Sequence, residues 1–352
     1  MKILETISAL SHEFGTTDYV KGGGGNTSCK DADTLWVKPS GTTLGALKPE
    51  TFVALDREKI DVLYATETPQ DKQAREALVK EVMENALKAG STGRASVEAP
   101  LHNVFSATYV VHTHPALVNG MTCAQNGKAA CARLFPDALW MDYVDAGYTL
   151  CMKAREEIKA FEERIGREPN IIFLKNHGVF VAGNSVEEIR EAYALVMDTL
   201  RAEYKRAGIS TELFVTEKGD TTDVEAELSE WIGADATAIK SSGTFEVAAG
   251  PITPDHIVYS KSYPLIGGLN REAIESFKAN KGYFPRVIVA FDAVFAVGAS
   301  EKVAELALIL AQDGALVQQL AEAFGGVEFM TDDAREFIEN WEVEAYRAKQ
   351  MS

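Results

Sequence analysis

Tyr109-Val110-Val111-His112-Thr113-His114-Pro115 runs β-prone residues straight into a pair of imidazoles. On a strand, alternate side chains share a face, so His112 and His114 point one way and Thr113 the other. Pro115, with no N–H to give to a ladder, ends the strand. Two neutral ring nitrogens on one face can converge on a single ion. The pair alone is equally consistent with two hydrogen-bonded core histidines, because a chance H-x-H is common.

Two other segments extend the pattern. Downstream, the apolar runs Ile171-Ile172-Phe173-Leu174 and Val179-Phe180-Val181-Ala182 read as short strands broken at Asn176-His177-Gly178, a polar turn that presents a third imidazole at a strand end. Upstream, Ser96-Val97-Glu98-Ala99-Pro100-Leu101-His102-Asn103 opens a short helix and sets a carboxylate a little before the histidine strand. Three histidines and a carboxylate, with one coordination position left open, are the donors of a catalytic rather than a structural zinc site, and another divalent transition metal would suit them too. His102 falls one helical turn beyond Glu98 on the same face, which fits a supporting or structural role better than a fourth ligand.

Two glycine-containing loops come earlier still. Lys21-Gly22-Gly23-Gly24-Gly25-Asn26-Thr27-Ser28 lets the backbone approach a ligand closely, and Pro39-Ser40-Gly41-Thr42-Thr43 follows the strand-like Thr34-Leu35-Trp36-Val37. Each loop alone reads as a turn. Together, ahead of the histidine strand, they suggest a phosphate cradle.

With these pieces in place the chain resembles the class II aldolase/adducin-head family, which includes L-fuculose-1-phosphate and L-rhamnulose-1-phosphate aldolases and L-ribulose-5-phosphate 4-epimerase. The matching segments are Gly23-Gly24-Gly25-Asn26-Thr27-Ser28, Lys38-Pro39-Ser40-Gly41, Ser96-Val97-Glu98, His112-Thr113-His114-Pro115 and Asn176-His177-Gly178, in the family's order; the resemblance covers residues 1–209. It implies an α/β fold with a central, mostly antiparallel sheet flanked by helices. It also implies that His112, His114 and His177 hold zinc, that Glu98 is the catalytic acid/base, and that Asn26, Ser40, Gly41 and Ser96 bind the substrate phosphate. Ser96-Val97 departs from the two serines that often precede the glutamate in sugar-phosphate aldolases. In such aldolases a tyrosine from the neighbouring subunit completes the site, which makes Tyr143 and Tyr148 inter-subunit candidates; packing at a loop is the competing reading of this turn-rich stretch. The family forms ring-like tetramers, so a homo-oligomer is expected.

The activity implied is metal-dependent retro-aldol cleavage of a ketose 1-phosphate of the rhamnulose or fuculose type, giving dihydroxyacetone phosphate and a small aldehyde such as lactaldehyde. Dehydratases, decarboxylases and epimerases of the family work on related sugar phosphates through the same metal enediolate, although the epimerases usually carry aspartate where this chain has Glu98. Adducin heads share the fold as non-catalytic modules and lack the metal histidines, all three of which stand here.

Composition bounds these readings. The 352 residues suffice for one large domain or two ordinary ones, and the formal net charge of -17 argues against a nucleic-acid or anionic-membrane partner, which would call for a basic surface. An anionic sugar phosphate must therefore be captured locally. Cys29, Cys123, Cys131 and Cys151 form no C-x-x-C pair and read as reduced thiols. With no signal-peptide pattern and no apolar run of transmembrane length, the expected location is the cytoplasm.

Along the chain, helices are predicted over 1–15, over 71–89 and from the capping box Ser185-Val186-Glu187-Glu188 to Ala207. The polar stretch 217–223 marks a boundary between a metal-binding catalytic domain, 1–209, and an additional, smaller α/β domain, 220–352, of unassigned role. The second is predicted to hold a helix at 223–232, a loop from Gly250 to His256, a helix near 270–279, paired strands over 287–291 and 293–298, and a long helix capped by Ser300. It resembles the segment following the aldolase domain in bacterial proteins where a rhamnulose-1-phosphate-type aldolase is fused to a short-chain dehydrogenase, through Thr253-Pro254-Asp255-His256 and Trp341-Glu342-Val343-Glu344. No G-x-x-x-G-x-G strand-helix fingerprint is present, so neither the dehydrogenase nor a nicotinamide cofactor is expected.

Overall fold

The computed structural model of the chain describes residues 2–67, 69 and 71–342. Val343 and Glu344, quoted above for the resemblance to the fusion proteins, lie outside the described residues. The chain divides into two compact units, one made of residues up to Pro115 with Cys131–Asp198, the other of Ala116–Ala130 with the residues from Thr199 onward.

The first unit is built on a sheet of seven strands: β1 (Asn26–Lys30), β2 (Thr34–Val37), β3 (Val53–Asp56), β4 (Tyr109–Thr113), β5 (Leu139–Met141), β6 (Ile171–Leu174) and β7 (Gly178–Gly183). Their order is β3-β2-β1-β4-β7-β6-β5, and every neighbouring pair is antiparallel except β5 with β6. This is the mixed, mostly antiparallel α/β sheet that the sequence led us to expect. β6 and β7 are buried along their whole length, so they read as continuous apolar runs rather than as alternation.

Both faces of this sheet are covered. On one, Val110, Leu139, Met141, Ile172, Leu174 and Phe180 pack against Leu150, Cys151, Ala154, Ile158 and Phe161 of the helix Tyr148–Ile165. On the other, the helix Lys2–Glu13 binds through Ser11, whose hydroxyl lies 2.7 Å from that of Thr27 in β1. Just beyond that helix Phe14 stacks on Tyr193, whose hydroxyl in turn reaches Thr113 of β4 at 2.8 Å. The helix Tyr148–Ile165 replaces the turn expected around Tyr148: Gly147 and the left-handed Gly166 bracket it, and its apolar residues recur at helical spacing.

In the second unit a four-stranded sheet runs in the order β8-β11-β10-β9, with β8 Ala238–Gly243, β9 Leu265–Ile266, β10 Val287–Ala290 and β11 Ala293–Gly298. The predicted hairpin of β10 and β11 is present and antiparallel. Leu228, Ile232, Ile274, Ile288, Phe295 and Val297 form one core, and Phe245, Val287, Val294, Ala311 and Ala315 another. Ser300 caps the long helix Glu301–Ala321 by accepting from the Val303 amide. A loop was expected through His256; instead a short helix, Pro254–Ser260, begins there with proline in its first turn, where no N–H is needed. Among the described residues no helix is long and apolar enough to cross a membrane.

Candidate active site

Strand pairing assembles the site. β1 and β4 align Asn26 with His112, and β4 and β7 align His112 with Phe180, so these side chains share one face of the sheet. The His112 ring stacks on Phe180 with centroids 3.9 Å apart, and its Nδ1 lies 2.9 Å from the Val179 carbonyl. A carbonyl only accepts, so Nδ1 carries the hydrogen and Nε2 turns a lone pair inward. His114 follows the last residue of β4 and is fixed by its amide, which donates to the Tyr19 carbonyl at 2.9 Å. His177 sits in the turn between β6 and β7, where the preceding Asn176 takes a left-handed conformation (φ 53°) that asparagine tolerates better than most residues.

The three imidazoles converge. His114 Nε2 is 2.9 Å from His112 Nε2, and His177 Nε2 is 3.4 Å from the same atom. One ligand atom from each of His112, His114 and His177 lies within 4.8 Å of the others, and all three residues are buried. Neutral nitrogen lone pairs facing one another at this range repel unless a proton or a cation stands among them, and three neutral nitrogens are a donor set for a divalent transition metal. A second observation agrees. Glu98 Oε1 is buried without a hydrogen bond among the described residues, 3.7 Å from His177 Nε2, while Oε2 lies 3.6 Å from His112 Nε2. The residues present therefore fit a divalent cation.

Glu98 immediately precedes the helix Ala99–Val104, as its N-cap, and is held by neighbours on β1. Asn26 Nδ2 donates to Glu98 Oε2 and, at 3.2 Å, to Ser96 Oγ, while its Oδ1 meets His102 Nε2. His102 Nδ1 pairs in turn with Ser28 Oγ at 2.7 Å. Complete burial, reinforced by the neighbouring His112, holds His102 well below the usual histidine range, so it is neutral. His102 thus belongs to the support of Glu98 and not to the imidazole cluster. Asn26, expected at the phosphate, has both amide hydrogens engaged by Ser96 and Glu98.

The two loops expected to cradle the phosphate are joined by backbone. Ser40 N donates to the Arg94 carbonyl at 2.7 Å and Ser96 N to the Lys38 carbonyl at 3.1 Å, which sets Lys38–Ser40 beside 94–96. Gly41 has a φ of 78°, and Gly25 a φ of 65° with room for a side chain denied by the His112 carbonyl, 2.6 Å from where a Cβ would sit. Buried Lys38 was not singled out from the sequence. Its amine donates to the Gly23 carbonyl at 3.2 Å and so ties the two loops together; its place in Lys38-Pro39-Ser40-Gly41 was the available signal. Tyr148 is buried in its own unit, with its hydroxyl donating to the Leu63 carbonyl at 3.1 Å. Tyr143 stays half-buried, its phenol pushed up by burial and by Asp145.

The fold and this cluster agree with what the sequence is related to. The chain belongs to the family described as "Class II Aldolase and Adducin N-terminal domain", whose profile matches residues 5–204. It is 21% identical over 392 aligned positions to the "Uncharacterized oxidoreductase YuxG" of Bacillus subtilis, an alignment covering 92% of this chain and 55% of that longer protein. The chain thus spans about half the length of that relative. To the L-fuculose phosphate aldolase of Methanocaldococcus jannaschii it is 25% identical, across 51% of this chain and 81% of the relative. To the methylthioribulose-1-phosphate dehydratase of Bos taurus it is 24% identical, across 58% and 84% respectively.

Proposed function

We propose that residues 1–209 form a zinc-dependent carbon–carbon lyase that cleaves a ketose 1-phosphate of the rhamnulose or fuculose type into dihydroxyacetone phosphate and a small aldehyde such as lactaldehyde. The observation that carries this reading is the convergence of His112, His114 and His177 with the unsatisfied Oε1 of Glu98 against them. When bound, a divalent cation held by the three histidines supplies Lewis-acid polarisation of the substrate's oxygens.

The rest falls to the chain's own groups. Through Oε1, which has no hydrogen-bond partner among the described residues, Glu98 takes the proton of the substrate hydroxyl as the carbon–carbon bond breaks and returns one to the carbon so freed, giving the ketone phosphate. Asn26, kept in one orientation by neutral His102, positions the carboxylate through Oε2. Ser40, Gly41 and Ser96 bind the phosphate; the Ser96 hydroxyl accepts from Asn26 and from the Glu98 amide, so its own hydrogen remains to be donated. The protein acts as a cytoplasmic homo-oligomer, a tetramer by the family's habit, with Tyr143 at the neighbouring site.

Dehydration of a related ketose 1-phosphate is a second reading, supported by the similarity to a methylthioribulose-1-phosphate dehydratase. It uses the same histidines and the same glutamate. The test is to incubate zinc-loaded protein with L-rhamnulose, L-fuculose and methylthioribulose 1-phosphates, assay dihydroxyacetone phosphate and water loss, and run Glu98→Gln beside it. Zinc-dependent release of dihydroxyacetone phosphate that vanishes in the variant is the expected result. Water loss without release would replace cleavage by dehydration, and neither product from a fully metallated protein would overturn both.

A further inference from the structure

Phe180 stands in the middle of β7, paired with His112 of β4 on one side and with Ile172 of β6 on the other. It is 1% exposed and belongs to the core cluster of Val110, Ile172 and Phe161, and the Phe105 ring stacks on it with centroids 6.0 Å apart and planes at 24°. A ring buried on a strand paired along both edges keeps one orientation.

Two imidazoles of the candidate active site rest on this ring. The His112 ring lies nearly parallel to it, with centroids 3.9 Å apart and an interplanar angle of 10°, and the His102 ring meets it at 5.4 Å and 66°. These histidines have different tasks. His112 turns Nε2 into the imidazole cluster, while His102 supports Glu98 through Asn26.

The contact with His112 sets an angle that hydrogen bonding leaves open. The bond from Nδ1 to the Val179 carbonyl holds one edge of the ring but lets the plane swing about the N–H···O line. The Nε2 lone pair lies in the ring plane, so a swing would carry it out of line with His114 Nε2, at 2.9 Å, and His177 Nε2, at 3.4 Å. The flat face of Phe180 removes that freedom. An aliphatic side chain could fill the same volume but presents no plane for stacking. On the other side, Asn26 Nδ2 donates to Glu98 and Ser96, so Oδ1 is the acceptor and His102 Nε2 carries the hydrogen. Phe180 stands against the ring that makes this bond.

We propose that Phe180 is a positioning residue shared by both halves of the site: it sets the plane of His112 for the divalent cation and backs His102, through which Asn26 orients Glu98. This role rests on His112 being a metal ligand and is independent of which ketose phosphate is the substrate.

Full-length Phe180→Leu is compared with wild type and with Phe161→Leu, the same truncation in the same core cluster at a ring that stacks on no histidine among the described residues. Melting temperatures of the metal-free proteins give the packing loss of each variant. Zinc affinity, read by chelator competition, is expected to fall about 10- to 100-fold in Phe180→Leu and to stay within about threefold of wild type in Phe161→Leu. Cobalt(II) bound in place of zinc has a visible spectrum that follows ligand geometry, and Phe180→Leu alone should change it. In the metal-free proteins the His102 Nε2 hydrogen, followed by NMR, should exchange with water roughly tenfold faster in Phe180→Leu. Should that variant not fold, Phe180→Met fills the space with a flexible apolar chain and reads the same quantities. Wild-type affinity and spectrum in Phe180→Leu, or equal losses of affinity in both truncations, would reduce Phe180 to packing and overturn the proposal; an unchanged exchange rate would overturn the part assigned to His102. A wild type that takes up no stoichiometric zinc would remove the metal ligands and this role with them, whereas a zinc-binding wild type that cleaves no ketose phosphate would fail the lyase reading alone.

Discussion

Lys30, the last residue of β1, is buried, and its amine donates to the Phe105 and Ala107 carbonyls at 2.8 and 2.9 Å. Burial, followed by repulsion from Arg57, lowers its pKa from 10.5 to about 7. An unfolded lysine titrates near ~10.4, so between ~7 and ~10.4 the unfolded chain binds more protons than the folded one and stability rises with pH; below ~7 this contribution is flat. Near pH 9 the folded residue has lost nearly all of its proton and the unfolded one almost none. Integrated from about pH 7 to about pH 9, the linkage favours the wild-type fold by ~2 kcal/mol relative to a chain without this amine. Lys30→Met is such a chain. Urea midpoints followed by circular dichroism for both proteins across this range give the difference directly, because ionisations elsewhere are shared. The wild type should gain steadily on the variant, whichever of the two is more stable at neutral pH. Parallel profiles would refute the placement of a titrating lysine in this core.

Three further substitutions probe the site. His112→Ala should abolish stoichiometric zinc, measured by elemental analysis, and with it the zinc-dependent rise in melting temperature; an undiminished rise would remove His112 from the metal. In Gly178→Ala the new Cβ would stand 2.4 Å from the Thr113 carbonyl oxygen and 2.7 Å from His114 Cδ2. The expected outcome is a loss of ~1–3 kcal/mol in stability and of about 10- to 100-fold in metal affinity, read by chelator competition, and wild-type affinity would show that His114 tolerates displacement. Asn26→Ala should retain metal while lowering kcat by roughly tenfold or more, since Glu98 and His102 both lose their partner; an unchanged kcat with a raised KM would return Asn26 to the phosphate.

The histidine strand and the turn at His177 are legible in the sequence because β-branched and aromatic runs stop at polar residues in both places. What joins them is not. That β1 pairs with β4, and so brings Asn26 opposite His112, follows from burial on both sheet faces and from contacts remote in sequence. This is why the sequence shows Asn26 only as part of a glycine-rich loop and not that it also faces Glu98 and His102. The helix Tyr148–Ile165 does carry a signal in Leu150, Ala154, Ile158 and Phe161, bounded by Gly147 and Gly166, but the turn-forming residues just before it favour the opposite reading. β8, with the sequence AIKSSG, carries almost none. It becomes a strand because β11 offers an edge along its whole length, a case of tertiary context overriding local preference.

The four cysteines are free, and every one is buried. Burial pushes the Cys29 and Cys131 thiols up to about 12, far from the range in which thiolate forms. Native protein should therefore resist alkylating reagents and need no reductant in storage, while each transient opening exposes a reactive sulfur. Cys29 belongs to the first unit and Cys123 to the second. Single-cysteine versions keeping one or the other would turn the rate of colour development with a disulfide dye into a clock for the opening of each unit separately.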